Sequence, residues 1–308
     1  MKKKGIALVE RQYLFPFVLI TSLFFLWGFA HAILDVLNKH FQELLTITRT
    51  HSAMIQATMY MGYFIMAIPA GLFINRHGYR KGVVLGLLLY GIGSLLFIPG
   101  QYIASFNMFL FSLFVIGCGL TFLETAANPY VTELGARETA ASRLNFAQSF
   151  NGLGCIFAPI LTGLLLFSDE DKGASGNVAL PYAVMGVIVL LAALAFMRVR
   201  LPEIPHEEEV DSEGHRVGLW AHKLFVFGLV ALFAYEVSEI SINSFFINYV
   251  TEVGWMNARD ASLVLSFGGL GLFMVGRFVG SWIMRRVRAE KMLFWCATGT
   301  VITTLLVI

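Results

Sequence analysis

Charged side chains are scarce in this chain. Asp, Glu, Lys and Arg make up 14% of its 308 residues, against about 25% in an ordinary soluble domain, while 57% are hydrophobic. A water-soluble globule is excluded on that balance. Cysteine is equally sparse: Cys118, Cys155 and Cys296 stand alone in separate apolar stretches. They offer neither a disulfide framework nor a metal-ligand spacing, and lone buried thiols ordinarily pack as small hydrophobes. No nucleophile–base grouping marks an enzyme, no metal or cofactor motif is present, and no basic surface calls for nucleic acid. The short alternating segments of an outer-membrane barrel are missing as well.

Long apolar runs fill the space that these absences leave. A spanning helix needs about 20 mostly apolar residues. Candidates lie at Leu14–Leu37, Ser52–Ile74, Gly82–Ile98, Phe106–Asn128, Leu144–Phe167, Leu180–Met197, Leu224–Val250, Ala261–Met284 and Met292–Ile308. The reading is an all-α polytopic membrane protein with about nine transmembrane helices. Pro99-Gly100 is expected to close the third span, and Pro181 to open the sixth, where a missing N–H does no harm.

Orientation follows from Lys and Arg, which concentrate in cytoplasmic loops. The N-terminal tail and the even-numbered connections hold Lys2-Lys3-Lys4 and Arg11, then Arg76, Arg80 and Lys81, then Arg137 and Arg143. Arg198, Arg200, Arg216 and Lys223 come next, then Arg285, Arg286, Arg288 and Lys291. The opposite side has only Lys39, Arg49, Lys172 and Arg259, and Arg277 lies inside the eighth span. The N-terminus is therefore expected in the cytoplasm. The first apolar run exceeds the 7–15 residues of a signal-peptide core and lacks a small-residue cleavage site, so it stays as a helix. The acidic run His206–Glu213 falls in the longest polar connection, a solvated linker between two halves.

Glu124 carries the main functional signal. An ionised acid at the centre of a spanning helix costs about 2.5–3.5 kcal/mol on insertion scales, so such residues normally face a wet cavity and handle a proton or a polar ligand. Thr121 and Asn128 share its face at i−3 and i+4. A salt bridge to a helix-end arginine is the plainer alternative. Asp35 repeats the pattern at the outer end of the first span, where an interfacial acid would be cheap. In the seventh span Glu239 has Tyr235 and Asn243 four residues to either side, a stripe suited to hydroxyl recognition, although Glu236 is an equal candidate for the cavity. Gln56, Tyr60 and Tyr63 form one face of the second span, and Gln148, Asn151 and Cys155 one face of the fifth. Amides and phenols grip hydroxyls and aromatic rings cover apolar sugar faces; helix–helix hydrogen bonds are the alternative for any one of them. His31 has the ordinary pKa for a proton relay, near 6.5, but a lone helical histidine is more often a neutral hydrogen-bonding residue. Arg143, close to the cytoplasmic end, reads as structural, and Arg277 as the partner of an acid or of carbonyl ends.

The chain also repeats itself. Without gaps, Gly62-Tyr63-Phe64 through Gly71-Leu72-Phe73-Ile74-Asn75-Arg76 overlays Gly271-Leu272-Phe273 through Gly280-Ser281-Trp282-Ile283-Met284-Arg285, as the halves of a transporter do. The run Gly71-Leu72-Phe73-Ile74-Asn75-Arg76-His77-Gly78-Tyr79-Arg80-Lys81 resembles the loop between the second and third helices of the major facilitator superfamily. Small residues there let helices approach, Gly78 allows a tight turn, and the cations meet helix C-terminal ends.

Within that superfamily the sequence is similar to the L-fucose:proton symporter family, which includes glucose/galactose carriers. Phe24-Phe25-Leu26-Trp27-Gly28, Leu123-Glu124-Thr125-Ala126-Ala127-Asn128-Pro129, Arg143-Leu144-Asn145-Phe146-Ala147-Gln148-Ser149-Phe150-Asn151 and Tyr249 carry the likeness. The resemblance implies carboxylates at Asp35 and Glu124 that link protonation to sugar binding, with the first helix continuing through Asn38-Lys39-His40-Phe41. Family members often have Asn directly before the first acid, where this chain has Leu34. They also have twelve helices, whereas this chain stops within a ninth apolar run. The expected architecture is a complete N-terminal six-helix bundle (residues 1–197), a cytoplasmic acidic linker (198–223) and a partial C-terminal bundle (224–308).

The expectation is a monomeric, multi-pass carrier of the bacterial inner membrane, working by proton-coupled monosaccharide symport, with the bilayer, a sugar and a proton as its partners. The alternatives are a sodium-coupled or exporting carrier of another solute, and a non-transporting membrane sensor or scaffold.

Overall fold

The computed structural model describes residues 7–44, 49–166, 179–199, 218–256, 260 and 264–307. Among them every regular element is helical and no strand occurs, as lipid demands: a helix satisfies its backbone polar groups within one segment. The helices are α1 (Leu14–Leu44), α2 (Arg49–His77), α3 (Tyr79–Leu95), α4 (Phe97–Tyr102), α5 (Phe106–Glu133), α6 (Ala140–Leu166), α7 (Ala179–Arg198) and α8 (Lys223–Glu252). A π-helical stretch, Val264–Leu270, leads into α9 (Gly271–Met284), and α10 (Ala289–Val307) follows. Among the described residues, each expected span falls on one of these helices or on an adjoining pair. Six helical stretches among the described residues are long and apolar enough to cross a membrane: Arg11–Leu34, Met54–His77, Tyr79–Tyr102, Phe106–Glu133, Ala179–Arg198 and Phe267–Met284.

The chain divides into two compact units, one of residues 1–204 with 274–308 and the other of residues 205–273. In the first unit α1 lies along α6, α2 and α3 both pack on α5, and α7 packs on α3. Phe24 of α1, Leu87 of α3, Leu113 and Leu120 of α5, Ala147 of α6 and Val189 of α7 are all buried in its core. Large apolar side chains such as Phe64, Ile68 and Leu72 of α2 point outward, the surface that lipid rather than water tolerates. The second unit holds α8 and the π-helical stretch. Most of the acidic linker, residues 200–217, lies outside the described residues.

Local chemistry sets the helix ends. Ser105 caps α5 by accepting from the Met108 amide at 3.4 Å, the usual role of an N-cap serine. The Ala179 amide at the start of α7 donates to the Gln101 side chain at 2.7 Å. One boundary differs from expectation: the third span breaks at Leu96, and Pro99-Gly100 sits inside α4. Pro99 occupies the first turn of that short helix, where its missing N–H removes no bond, so the span runs on to Tyr102. The first helix does continue through residues 38–41.

Backbone-to-backbone contact sets how closely the helices approach. A Cβ built on Gly28 would stand 2.1 Å from the Asn151 carbonyl oxygen, and one on Gly154 would stand 2.2 Å from that of Phe25. The glycines of α1 and α6 thus face each other's main chains, as small residues permit. Gly117 does the same for α5 and α2, its Cβ position lying 2.3 Å from the Met59 carbonyl oxygen.

Candidate functional site

Glu124 sits partly buried on α5, one turn before Asn128. Pro129 lies inside the same helix and has no N–H to give the Thr125 carbonyl four residues back. The helix therefore lacks one backbone hydrogen bond beside the acid. Facing it from α2 is Tyr63, whose hydroxyl is buried and meets no acceptor among the described residues. That hydroxyl lies beside the Trp27 indole and within electrostatic reach of the Glu124 carboxylate.

Two turns of α1 complete the cluster. The His31 ring lies 6.1 Å from Trp27, 6.4 Å from Tyr60 and 5.8 Å from Tyr63, centroid to centroid, and Tyr60 and Tyr63 are 6.2 Å apart. His31 Nδ1 stands 3.1 Å from the Trp27 carbonyl oxygen. A carbonyl only accepts, so Nδ1 bears the proton and neutral His31 keeps Nε2 as an acceptor. Tyr60 is 54% exposed, and the cluster is open on its side.

One turn along α5 the polar surface continues. Gln148 of α6 donates from Nε2 to Asn128 Oδ1 at 3.2 Å, and Asn151 lies on α6 where α1 crosses it most closely. Cys155 Sγ approaches the Gly28 carbonyl oxygen at 3.5 Å. Thr121, on the same face as Glu124, is buried, and its hydroxyl is satisfied by the Gly117 carbonyl at 2.8 Å, which commits it to its own helix.

The structure therefore brings together His31, Tyr60, Tyr63 and Glu124, and beside them Asn128, Gln148 and Asn151. Gln56 stands exposed one turn before Tyr60. The Asp35 backbone is helical, one turn beyond His31, while its side chain lies outside the described residues. In the second unit Tyr235 and Glu236 are exposed and Glu239 is partly buried on α8; the Asn243 side chain lies outside the described residues. Sequence reasoning did not single out Trp27 as a site residue, although its i, i+4 spacing from His31 was the available signal.

The basic loop does structural work. Gly78 adopts φ +85° between α2 and α3, a conformation open to glycine and strained for other residues. Arg80 donates to the Phe196 carbonyl at 3.2 Å and to the Met197 carbonyl, which satisfies the last turn of α7. Asn75, Arg76 and Lys81 are exposed. Gly71 departs from expectation, since no described atom lies within 4 Å of its Cβ position and no described helix approaches there. Arg143 is fully buried and donates to the carbonyls of Val131 at 3.0 Å, Ala136 at 3.0 Å, Leu8 at 3.3 Å and Thr132, and to the Thr139 hydroxyl at 2.6 Å. It closes the end of α5.

Among the described residues no group of three His, Cys, Asp or Glu side chains is placed to hold a metal ion. A bundle of membrane-length helices with an acid, an imidazole and two phenols gathered between α1, α2 and α5 is the arrangement expected of a helical membrane carrier.

Comparison with known proteins resolves the class further. Residues 17–308 match the family model described as Major Facilitator Superfamily. The glucose/galactose transporter of Brucella abortus is 35% identical over 95% of this chain and 72% of its own length. The L-fucose-proton symporter of Escherichia coli is 34% identical over 92% of this chain and 70% of its own. The crystal structure of the E. coli fucose:proton symporter FucP superposes with a TM-score of 0.73 at 32% identity, covering 92% of this chain and 74% of that one. A FucP structure in the outward conformation gives a TM-score of 0.78 at 34% identity. The chain belongs to the major facilitator superfamily and, within it, to the L-fucose:proton symporter family.

Proposed function

We propose that the protein imports a monosaccharide with a proton by alternating access. The observation that carries this reading is Glu124, the one charged residue of the stretch 106–128, grouped with the Tyr60, Tyr63 and His31 rings, in a chain whose relatives are named as sugar transporters and proton symporters. Glu124 and Asp35 are the proton-coupling groups. Gln56, Tyr60, Tyr63, Asn128, Gln148 and Asn151 supply hydroxyl-binding groups from residues 1–197, and Tyr235, Glu239 and Asn243 supply them from residues 224–308, the two halves being joined by the linker at 198–223. The chain works as a monomer in the bacterial inner membrane with its N-terminus in the cytoplasm.

Protonation from the outside neutralises the cavity acid, the neutral form takes sugar, and opening to the inside releases both. A potential of 100 mV contributes about 2.3 kcal/mol per charge and one pH unit about 1.4 kcal/mol. Together they sustain accumulation of several hundredfold, as an order of magnitude, at one proton per sugar.

The test is uptake of labelled D-glucose, D-galactose and L-fucose into proteoliposomes of the purified protein. With the outside acid, accumulation of at least one sugar is expected, and a protonophore should abolish it. Accumulation driven by a sodium gradient at equal pH would overturn proton coupling. Absence of accumulation under either gradient would overturn the carrier reading.

A further inference from the structure

We propose that His31 is a specificity-determining residue: held as the Nδ1–H tautomer by Trp27, it accepts a hydrogen bond from one hydroxyl of the sugar and so selects which monosaccharide is carried. The inference rests on the monosaccharide-carrier reading and deepens it.

The tautomer comes first. Nδ1 lies 3.1 Å from the Trp27 carbonyl oxygen, which cannot donate, so the ring proton resides on Nδ1 and the remaining nitrogen can only accept. Surroundings come next. The imidazole is flanked by the rings of Trp27, Tyr60 and Tyr63 at 5.8–6.4 Å, and of these rings Tyr60 is exposed. This is the composition of a sugar subsite: aromatic surface for the C–H face and one directional polar atom to read a hydroxyl. A second group points the same way: the neighbouring Tyr63 hydroxyl is buried beside the Trp27 indole N–H, which can only donate, so its own proton finds no acceptor among the described residues, and buried polar groups are ordinarily paired.

An acceptor-only atom has a distinctive signature. A site built to hydrogen-bond a hydroxyl discriminates strongly against an analogue lacking it, because the site's polar group is then left unpaired. A fluorine in place of the hydroxyl keeps an acceptor but loses the donor. Opposite His31, the fluoro sugar must therefore bind as poorly as the deoxy sugar, whereas opposite a donor such as an amide N–H it would retain binding.

The experiment measures binding of whichever of D-glucose, D-galactose and L-fucose the full chain takes, together with its mono-deoxy and mono-fluoro analogues, to the detergent-purified protein. At one ring position the wild type should lose tenfold or more for both analogues. In His31→Phe the parent sugar should fall to the level of those analogues, so that the ratio collapses to within twofold, with ratios at other positions unchanged. His31→Gln, which retains an acceptor, should restore part of the discrimination. An equal loss for every analogue in a folded His31→Phe protein, or an unchanged ratio at every position, overturns the proposal. So does a wild type in which no position shows fluoro and deoxy analogues equally weakened, a comparison that needs no variant at all. If none of the sugars binds the wild type, the carrier reading falls, and this inference with it.

Discussion

Ser142 and Ser281 clasp each other across α6 and α9. The Ser142 hydroxyl donates to the Ser281 carbonyl, the Ser281 hydroxyl donates to the Ser142 carbonyl at 2.8 Å, and the two oxygens lie 3.1 Å apart. Both residues are buried. Each adjoins a basic connection, Arg137 and Arg143 in one case and Arg285 and Arg286 in the other, so the contact lies on the side where the cations gather. Phe146 and Phe150 of α6 pack around Phe278 of α9 at 5.8 and 6.1 Å and extend the seam.

On the proposed alternating-access cycle with the cationic side in the cytoplasm, this seam opens for release into the cell. Interhelical hydrogen bonds in membranes average about 0.6 kcal/mol and reach about 1.7. Removing both donors in Ser142→Ala/Ser281→Ala should shift the equilibrium toward the opened form by roughly tenfold. Distance distributions between spin labels on the basic ends of α6 and α9 report it; an unchanged closed fraction would show that the phenylalanines alone hold the seam.

Glu124→Gln keeps shape and hydrogen-bonding capacity but cannot release a proton. Sugar exchange should persist, because a loaded carrier reorients without titrating, while uphill uptake driven by a pH gradient is lost. The sign with pH follows: in the wild type, raising the external pH removes the proton required for binding and slows uptake, whereas exchange by the variant stays flat. Retained pH-driven accumulation would place the coupling proton elsewhere, with Asp35 next in order.

Gly28→Ala should destabilise the protein by about 1–3 kcal/mol or more through overpacking, because the added carbon meets the Asn151 carbonyl oxygen at 2.1 Å. Gly71→Ala, with no described atom within 4 Å of the added carbon, should leave the melting temperature in detergent nearly unchanged. Equal losses from the two would contradict the close approach of α1 and α6.

Arg143→Ala strands the buried Val131 carbonyl and Thr139 hydroxyl and the part-buried carbonyls of Thr132, Ala136 and Leu8. Each unsatisfied group costs about 1–3 kcal/mol, so a folded, monodisperse product should be recovered poorly. Arg143→Lys keeps the charge but loses the planar fork of donors and should fall between. Size-exclusion profiles and thermal scans check both; a silent Arg143→Ala would show that other groups close the helix.

Hydropathy and basic-residue placement made the helices legible, because lipid leaves the backbone few solutions. Glu124, Tyr60 and Tyr63 were legible as candidates since polarity in an apolar helix is costly. Their convergence with His31 was not, because which face of α1 meets α2 depends on packing between segments distant in sequence. The glycine contacts had the same difficulty: Gly28, Gly117 and Gly154 look no different in sequence from Gly71, yet only the first three face another main chain. Pro99 misled for a local reason, since a proline that ends one helix also suits the first turn of the next.

The close crossing of Gly28 and Gly154 has a mechanical consequence. At that crossing main chain meets main chain, with no side chain between the two backbones to be compressed. His31 lies three residues past the crossing on α1, and Ser142 twelve residues before it on α6, about 18 Å at 1.5 Å per residue. The ring cluster around His31 and the Ser142–Ser281 contact thus stand on two helices that meet backbone to backbone, and a larger residue at position 28 or 154 would have to push those helices apart.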